Sequence, residues 1–198
     1  MPRKKQFDQT DILKKAMERF WKRGFHATSM QDLVDHLGIN RASIYSTFPG
    51  GKEQLFQEAF QLYQKEYGFD LDQVRETLKQ KSVKAFLKDF FQQSMSELES
   101  DTDRKGCFVT NTTCEMSTQS EEVGRLLSNH MAHVVAFFAE IVRLGQERGE
   151  IANTYEAEYL AKHIYTFLNG IKAVSKIEPD IASLQHAIEI ELSFVFGG

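Results

Sequence analysis

The sequence is poor in the residues that break helices and in stretches that build strands. It has three prolines in 198 residues, and runs rich in β-branched side chains are few, so an all-helical chain is the simplest reading. No run approaches the roughly 18 consecutive apolar residues of a membrane span, so no membrane partner is expected. Cysteine is scarce too, with Cys107 and Cys114 the only two. On one helix their Cα atoms would stand roughly 10 Å apart at about 1.5 Å per residue, too far for a disulfide, and a reducing cytoplasm is the expected setting. The opening Met1-Pro2-Arg3-Lys4-Lys5-Gln6 has no apolar segment behind its basic residues and does not read as a signal peptide. There is no Gly-rich phosphate loop, nucleophile elbow or HExxH motif, so neither an enzyme nor a cofactor is expected. His130 and His133 stand three apart, but no cysteine or acid completes a set at metal-ligand spacing.

Charge is present but unevenly placed. The net charge of −4 divides into ten Lys+Arg against five Asp+Glu over residues 1–52, and fourteen against twenty-three over residues 53–198. A basic segment of that size suits a polyanion partner, although chance unevenness gives the same figures.

The periodicity is helical throughout. From Asp8 to Arg23, the residues Ile12, Leu13, Ala16, Met17, Phe20 and Trp21 recur at three- and four-residue steps. Asp8 or Thr10 can cap the start, and Gly24 sits where a helix ends left-handed. Thr28-Ser29-Met30-Gln31-Asp32 resembles a capping box with Asp in place of Glu or Gln. The second helix runs to Leu37 and stops at Gly38. Asn40 then caps a short third helix, Arg41 to Thr47, ended by Phe48-Pro49-Gly50-Gly51. Two short helices around a glycine turn form a helix-turn-helix, whose second helix enters the major groove N-terminus first. Ile44 and Phe48 can pack inward, which turns Arg41, Ala42, Ser43, Tyr45 and Ser46 outward.

A fourth helix is expected from Lys52, bent or interrupted at Gly68 before it continues over 71–80, and further helices over 82–100, 106–116, 120–148, 154–176 and 180–196. The count is about nine. The segment 106–116 is ambiguous, because Thr110, Thr112 and Thr113 lower its helix propensity.

The N-terminal residues resemble the DNA-binding domain of the TetR family of bacterial repressors. The likeness is carried by Ala16 with Phe20, Gly24-Phe25, Thr28-Ser29-Met30, Leu33-Val34, Leu37-Gly38-Ile39-Asn40, Ser43-Ile44-Tyr45, Phe48, Lys52-Glu53 and Leu55. Two departures stand out. Pro49-Gly50-Gly51 is one residue longer than the usual link, and Ser46-Thr47 stand where larger residues are frequent. The resemblance implies a helix-turn-helix domain over residues 1–52, continuing into a connecting helix to 67. A helical ligand-binding and dimerisation domain over 68–198 would follow.

It further implies a ligand-responsive repressor that binds a palindromic double-stranded DNA operator as a homodimer. By resemblance, Thr28 and Ser29 cap the second helix and touch a phosphate, and Asn40 caps the recognition helix. Arg41 reads a guanine edge or holds a phosphate, and Ala42, Ser43, Tyr45 and Ser46 face DNA. Lys52 meets a phosphate, and Arg3-Lys4-Lys5 either adds contacts or is a solvated tail. The segment Lys105-Gly106-Cys107-Phe108 looks like the head of a pocket helix in some subgroups. Phe86, Phe90, Cys107, Phe108, Phe137 and Phe167 are the candidate effector-binding residues, and core packing explains the same rings. Cys107 and Cys114 invite a redox or electrophile-sensing role, helped at Cys107 by the preceding Arg104 and Lys105, although a free cysteine is more often an inert small hydrophobe. The apolar stripes Leu160, Ile164, Phe167, Leu168, Ile171, Val174 and Ile181, Leu184, Ile188, Leu192, Val195 suit a four-helix dimer interface or a single bundle, and Gly170 would allow close approach. The rival reading is a helical small-molecule-binding protein or enzyme whose N-terminal helices only pack.

Overall fold

A computed structural model describes residues 8–178 and 180–197, with the side chain of Ile181 left out. The expectation placed on Arg3-Lys4-Lys5 lies outside these residues. The described residues form ten α-helices: α1 Gln9–Arg23, α2 Met30–Leu37, α3 Arg41–Thr47, α4 Gly51–Tyr67, α5 Leu71–Leu78, α6 Val83–Ser100, α7 Phe108–Met116, α8 Glu121–Glu147, α9 Ala157–Val174 and α10 Ile181–Phe196. That is one more than the sequence pattern suggested. The stretch after Gly68 is a helix in its own right, because the Asp70 carboxylate accepts from the amides of Asp72 and Gln73 and starts α5 afresh. The threonine-rich 106–116 segment is helical from Phe108.

The chain divides into two compact units. The first runs up to Gly68 and also takes Asn111–Gly124; the second comprises Phe69–Thr110 and the chain from Arg125 onward. The division expected from sequence gave all of 111–124 to the ligand-binding part. The difference has a local cause, described below, in a carboxylate of α7.

In the first unit α1 packs on α2 and α4, and α2 on α3. Ile12, Ala16 and Phe20 from α1, Leu33 and Leu37 from α2, Ile44 from α3, and Leu55, Phe56 and Phe60 from α4 are buried together. Phe56 meets Phe20 and Phe25 edge-on, at ring separations of 5.1 and 5.2 Å. A fully buried side chain of this kind contributes about 1.5–3 kcal/mol, so the helical head has its own core. Gly24 closes α1 at φ 82°, ψ 169°. This is a glycine-only conformation, but not the left-handed helical one expected there.

In the second unit α6, α9 and α10 pack on one another's apolar stripes. Phe69, Phe90, Phe91, Phe137, Phe138 and Phe167 form a continuous aromatic network, with Phe69 stacked on Phe137 at 4.6 Å and Phe90 edge-on to Phe138 at 5.3 Å. No helix among the described residues is long and apolar enough to cross a membrane.

Candidate nucleic-acid interface

Each short helix of the head starts on a side-chain cap, as its sequence suggests. Ser29 caps α2: its hydroxyl accepts from the Asp32 amide, and the Asp32 carboxylate accepts from the Ser29 amide. The same carboxylate receives Arg19 at 2.8 Å and Arg23 at 3.4 Å. The Ser29 hydroxyl, the Ser29 N–H and the Arg19 guanidinium together hold the Asp32 carboxyl down to about 2. Gly38, at φ 67° and ψ 23°, ends α2 left-handed, and two residues later the Asn40 side chain accepts from the Ser43 amide to start α3.

The outer face of α3 has the composition and exposure of a surface that meets DNA. Ile44 and Phe48 are wholly buried. Arg41, Ala42, Tyr45 and Ser46 are exposed, and Ser43 is half-buried. The Arg41 guanidinium makes no ion pair with any described residue, so its five donors are available. Tyr45, 44% exposed, lies against Gly51, where an added Cβ would stand 3.0 Å from its ring. Gly51 also has φ 66°. The long Pro49-Gly50-Gly51 link thus supplies the one residue type that permits both the turn and the aromatic ring beside it.

Two expected contacts stand elsewhere. Thr28 is not a cap; it is fully buried and its hydroxyl donates to Gly24 O at 2.6 Å, so it braces the α1–α2 turn from within. The cap position belongs to Ser29 alone, because only Ser29 precedes Asp32 by the three residues a capping box needs. Lys52 is half-buried. Its ammonium donates to Phe25 O and Thr28 O, both at 3.0 Å, and lies 4.1 Å from the centre of the Phe25 ring. Two of its three donors are therefore committed to the protein's own backbone.

One residue of this region was absent from the sequence expectations. Glu115 on α7 accepts from the Phe25 amide at 2.9 Å and the His26 amide at 2.7 Å. These bonds explain why 111–124 belongs with the head. Nothing local marks Glu115, since its partners lie about ninety positions away in the chain.

The candidate effector residues fall into two groups. Phe137 is buried in the second unit's core, and Phe86, Phe90 and Phe167 are partly buried against it. Cys107 and Phe108 are buried at the head of α7, in a more polar setting. There the Thr110 hydroxyl donates to Asn169 Oδ1 and the Asn169 amide to Tyr165 O, both at 2.7 Å. Burial, then the neighbouring Cys107 thiol, push the Tyr165 hydroxyl upward. Both cysteines are free, and Cys114 is exposed. Burial and the proximity of His133 and Lys172 lower the His130 imidazole. No group of metal-ligating side chains occurs among the described residues.

Of the two stripes, for which the sequence left open a four-helix dimer interface or a single bundle, most residues are turned inward. Leu160, Ile164, Leu168, Ile171, Leu184, Ile188, Leu192 and Val195 are buried in the second unit's core, because α9 and α10 pack against each other and α10 against α6. What α9, α10 and their flanking turns leave exposed is Val174, from the end of the first stripe, together with Tyr155, Tyr159, Ile177, Ile190 and Phe194, which lie outside the stripes. A Cβ added at Gly170 would meet nothing within 4 Å.

A capped helix-turn-helix head joined to a larger helical unit defines a class of transcription regulators. Residues 12–59 match the profile described as bacterial regulatory proteins, tetR family, and residues 84–190 match the Tetracyclin repressor-like C-terminal domain. The chain belongs to the TetR family of DNA-binding transcriptional regulators. It is similar to the HTH-type transcriptional regulator YezE of Bacillus subtilis, 29% identical over 98% of each chain. It is also similar to the HTH-type transcriptional repressor ComR of Escherichia coli, 28% identical over 95% of this chain and 87% of that protein. Among solved structures, a cysteine mutant of the TetR family regulator CifR complexed with a 26-base-pair operator superposes with a TM-score of 0.81. It is 28% identical and the match covers 96% of this chain and 97% of that one.

Proposed function

We propose that the protein is a homodimeric repressor that binds a palindromic operator, and that a small organic effector received by the second unit weakens that binding. The observation that carries the reading is the outer face of α3, where Arg41, unpaired among the described residues, stands with exposed small and polar residues on a helix whose other side is wholly buried. Ser29, Asn40, Arg41, Ala42, Ser43, Tyr45 and Ser46 are assigned to DNA. Arg41 supplies the two-donor fork that suits a guanine edge, and the start of α2 offers free amides to a phosphate.

The operator complex of CifR and the repressor role of ComR support the repressor assignment. The exposed apolar residues around α9 and α10 suit a second copy of this chain, since a two-fold axis would set two α3 helices about 34–36 Å apart or more. The effector is assigned to the head of α7, where Cys107 and Phe108 are buried and the half-buried Thr110, Asn169 and Tyr165 are linked by hydrogen bonds; polar groups beside apolar side chains suit a small organic ligand. Such a ligand shifts DNA affinity only by its differential affinity for the two states. The protein acts in the cytoplasm and catalyses no reaction.

The experiment is selection of a duplex from a random pool, then titration of that duplex over a range of salt. Each phosphate contact contributes about 0.9 to the slope of log affinity against log salt, so binding should weaken steeply as salt rises. Arg41→Ala should weaken binding by about 1–3 kcal/mol while the sedimentation coefficient stays the same. Salt-independent binding, or an Arg41→Ala variant with the parent's affinity and sequence preference, would overturn the assignment.

A further inference from the structure

The turn between α1 and α2, residues 24–28, is gripped from both sides by charges remote in sequence. On one side each oxygen of the Glu115 carboxylate takes a backbone N–H, from Phe25 and from His26. On the other side the Lys52 ammonium gives protons to the carbonyls of Phe25 and Thr28. Neither charge forms an ion pair with a described side chain, so both are spent on peptide groups. Bonds of this kind, with one partner ionised, are about twice as strong as neutral ones. The approach is close enough to dictate a residue: a Cβ at Gly24 would lie 2.7 Å from Glu115 Oε2.

We propose that Glu115 and Lys52 are positioning residues for operator binding, a pair of opposite charges whose grip on the α1–α2 turn fixes where Ser29 and the start of α2 stand against the DNA backbone. The proposal rests on the operator-binding reading and gives Lys52 a task other than phosphate contact. Ser29 follows the turn directly and Thr28, its last residue, is both buried and held by Lys52. A shift of the turn therefore moves the α2 cap.

The sign of the Glu115 effect separates positioning from simple charge. A carboxylate bonded to His26, three residues before a phosphate-facing cap, repels a polyanion, so neutralising it would tighten DNA binding if Coulomb repulsion were all that mattered. Positioning gives the opposite sign. The carboxamide introduced by Glu115→Gln has one acceptor oxygen where the carboxylate has two, so one of the two turn amides loses its partner.

The test measures affinity for the selected duplex with the full-length parent, Glu115→Gln, Lys52→Met and the double variant, at a temperature where circular dichroism shows each folded. Both single variants should bind at least about tenfold more weakly at fixed salt, with the parent's salt slope retained. Specific binding should fall more than binding to a random duplex. The double variant should lose less than the product of the single losses, because both act through one turn. Several results would overturn the proposal: a folded Glu115→Gln that binds as the parent does or more tightly, a Lys52→Met whose salt slope drops by about 0.9 as for a lost phosphate contact, or losses that simply multiply. Hydrogen exchange on the parent needs no variant: the Phe25 and His26 amides should exchange slowly, and exchange at the rate of an open chain would refute the grip itself. If the parent bound no duplex while these amides stayed protected, the operator-binding reading would fail and the grip would stand as architecture alone.

Discussion

Asp32 joins α1 to α2 through one side chain: it completes the Ser29 cap and receives Arg19 and Arg23. Its carboxyl is held at about 2, below the ordinary 3.8. A depressed value means that the stabilisation is fully present above the unfolded value and is lost as pH falls through the folded one. Asp32→Asn should therefore lower stability by a constant amount near neutrality. In urea unfolding, the gap between parent and variant should close as pH drops from about 4 towards about 2; a gap that persisted there would assign the loss to packing. Much at this scale was legible, because caps are written in short words such as Ser29 with Asp32. Thr28 was misread because two adjacent hydroxyl residues both look like caps, and only the three-residue offset to Asp32 separates them. Glu115 and the backbone partners of Lys52 were not legible, since a bond between a side chain and a distant peptide group leaves no mark in local pattern.

At the scale of elements, α3 is the most exposed to failure. It has seven residues, well short of the roughly 12–15 at which an isolated helix becomes even marginal in water. What holds it is the Asn40 cap at one end and the burial of Ile44 and Phe48 on one side. Asn40→Ala should cost about 1 kcal/mol and Asn40→Gly only a few tenths, read from urea midpoints, and operator affinity should fall in the same order. Equal losses from both would show that the cap bond is not what secures α3. The boundaries of α1 to α4 were readable because Gly24, Gly38, Asn40 and Gly68 punctuate them. For α7 the threonines argued against helix, yet Phe108, Val109, Thr112 and Met116 are buried along it, and burial outweighs the weak intrinsic preference.

For the whole molecule, pairing is the property that matters most, and here periodicity left the partner open. An apolar stripe does not say whether its partner lies in the same chain or in another, and most of the α9 and α10 stripe residues are satisfied internally. The residues proposed to meet a second copy are the scattered apolar ones that remain, with Ile190 at 71% exposure. Ile190→Asp leaves the core untouched. It should yield monomers in sedimentation and reduce affinity for a palindrome by about a hundredfold or more, the avidity of two linked heads; a stable dimer would move the pairing surface elsewhere. The first unit is also assembled from two separate lengths of chain, which bears on protein engineering. A chimera that transplants only the leading sixty-eight residues onto a foreign effector module would arrive without its α7 fastener. To keep its sequence preference, such a hybrid must carry 111–124 along with the leading segment.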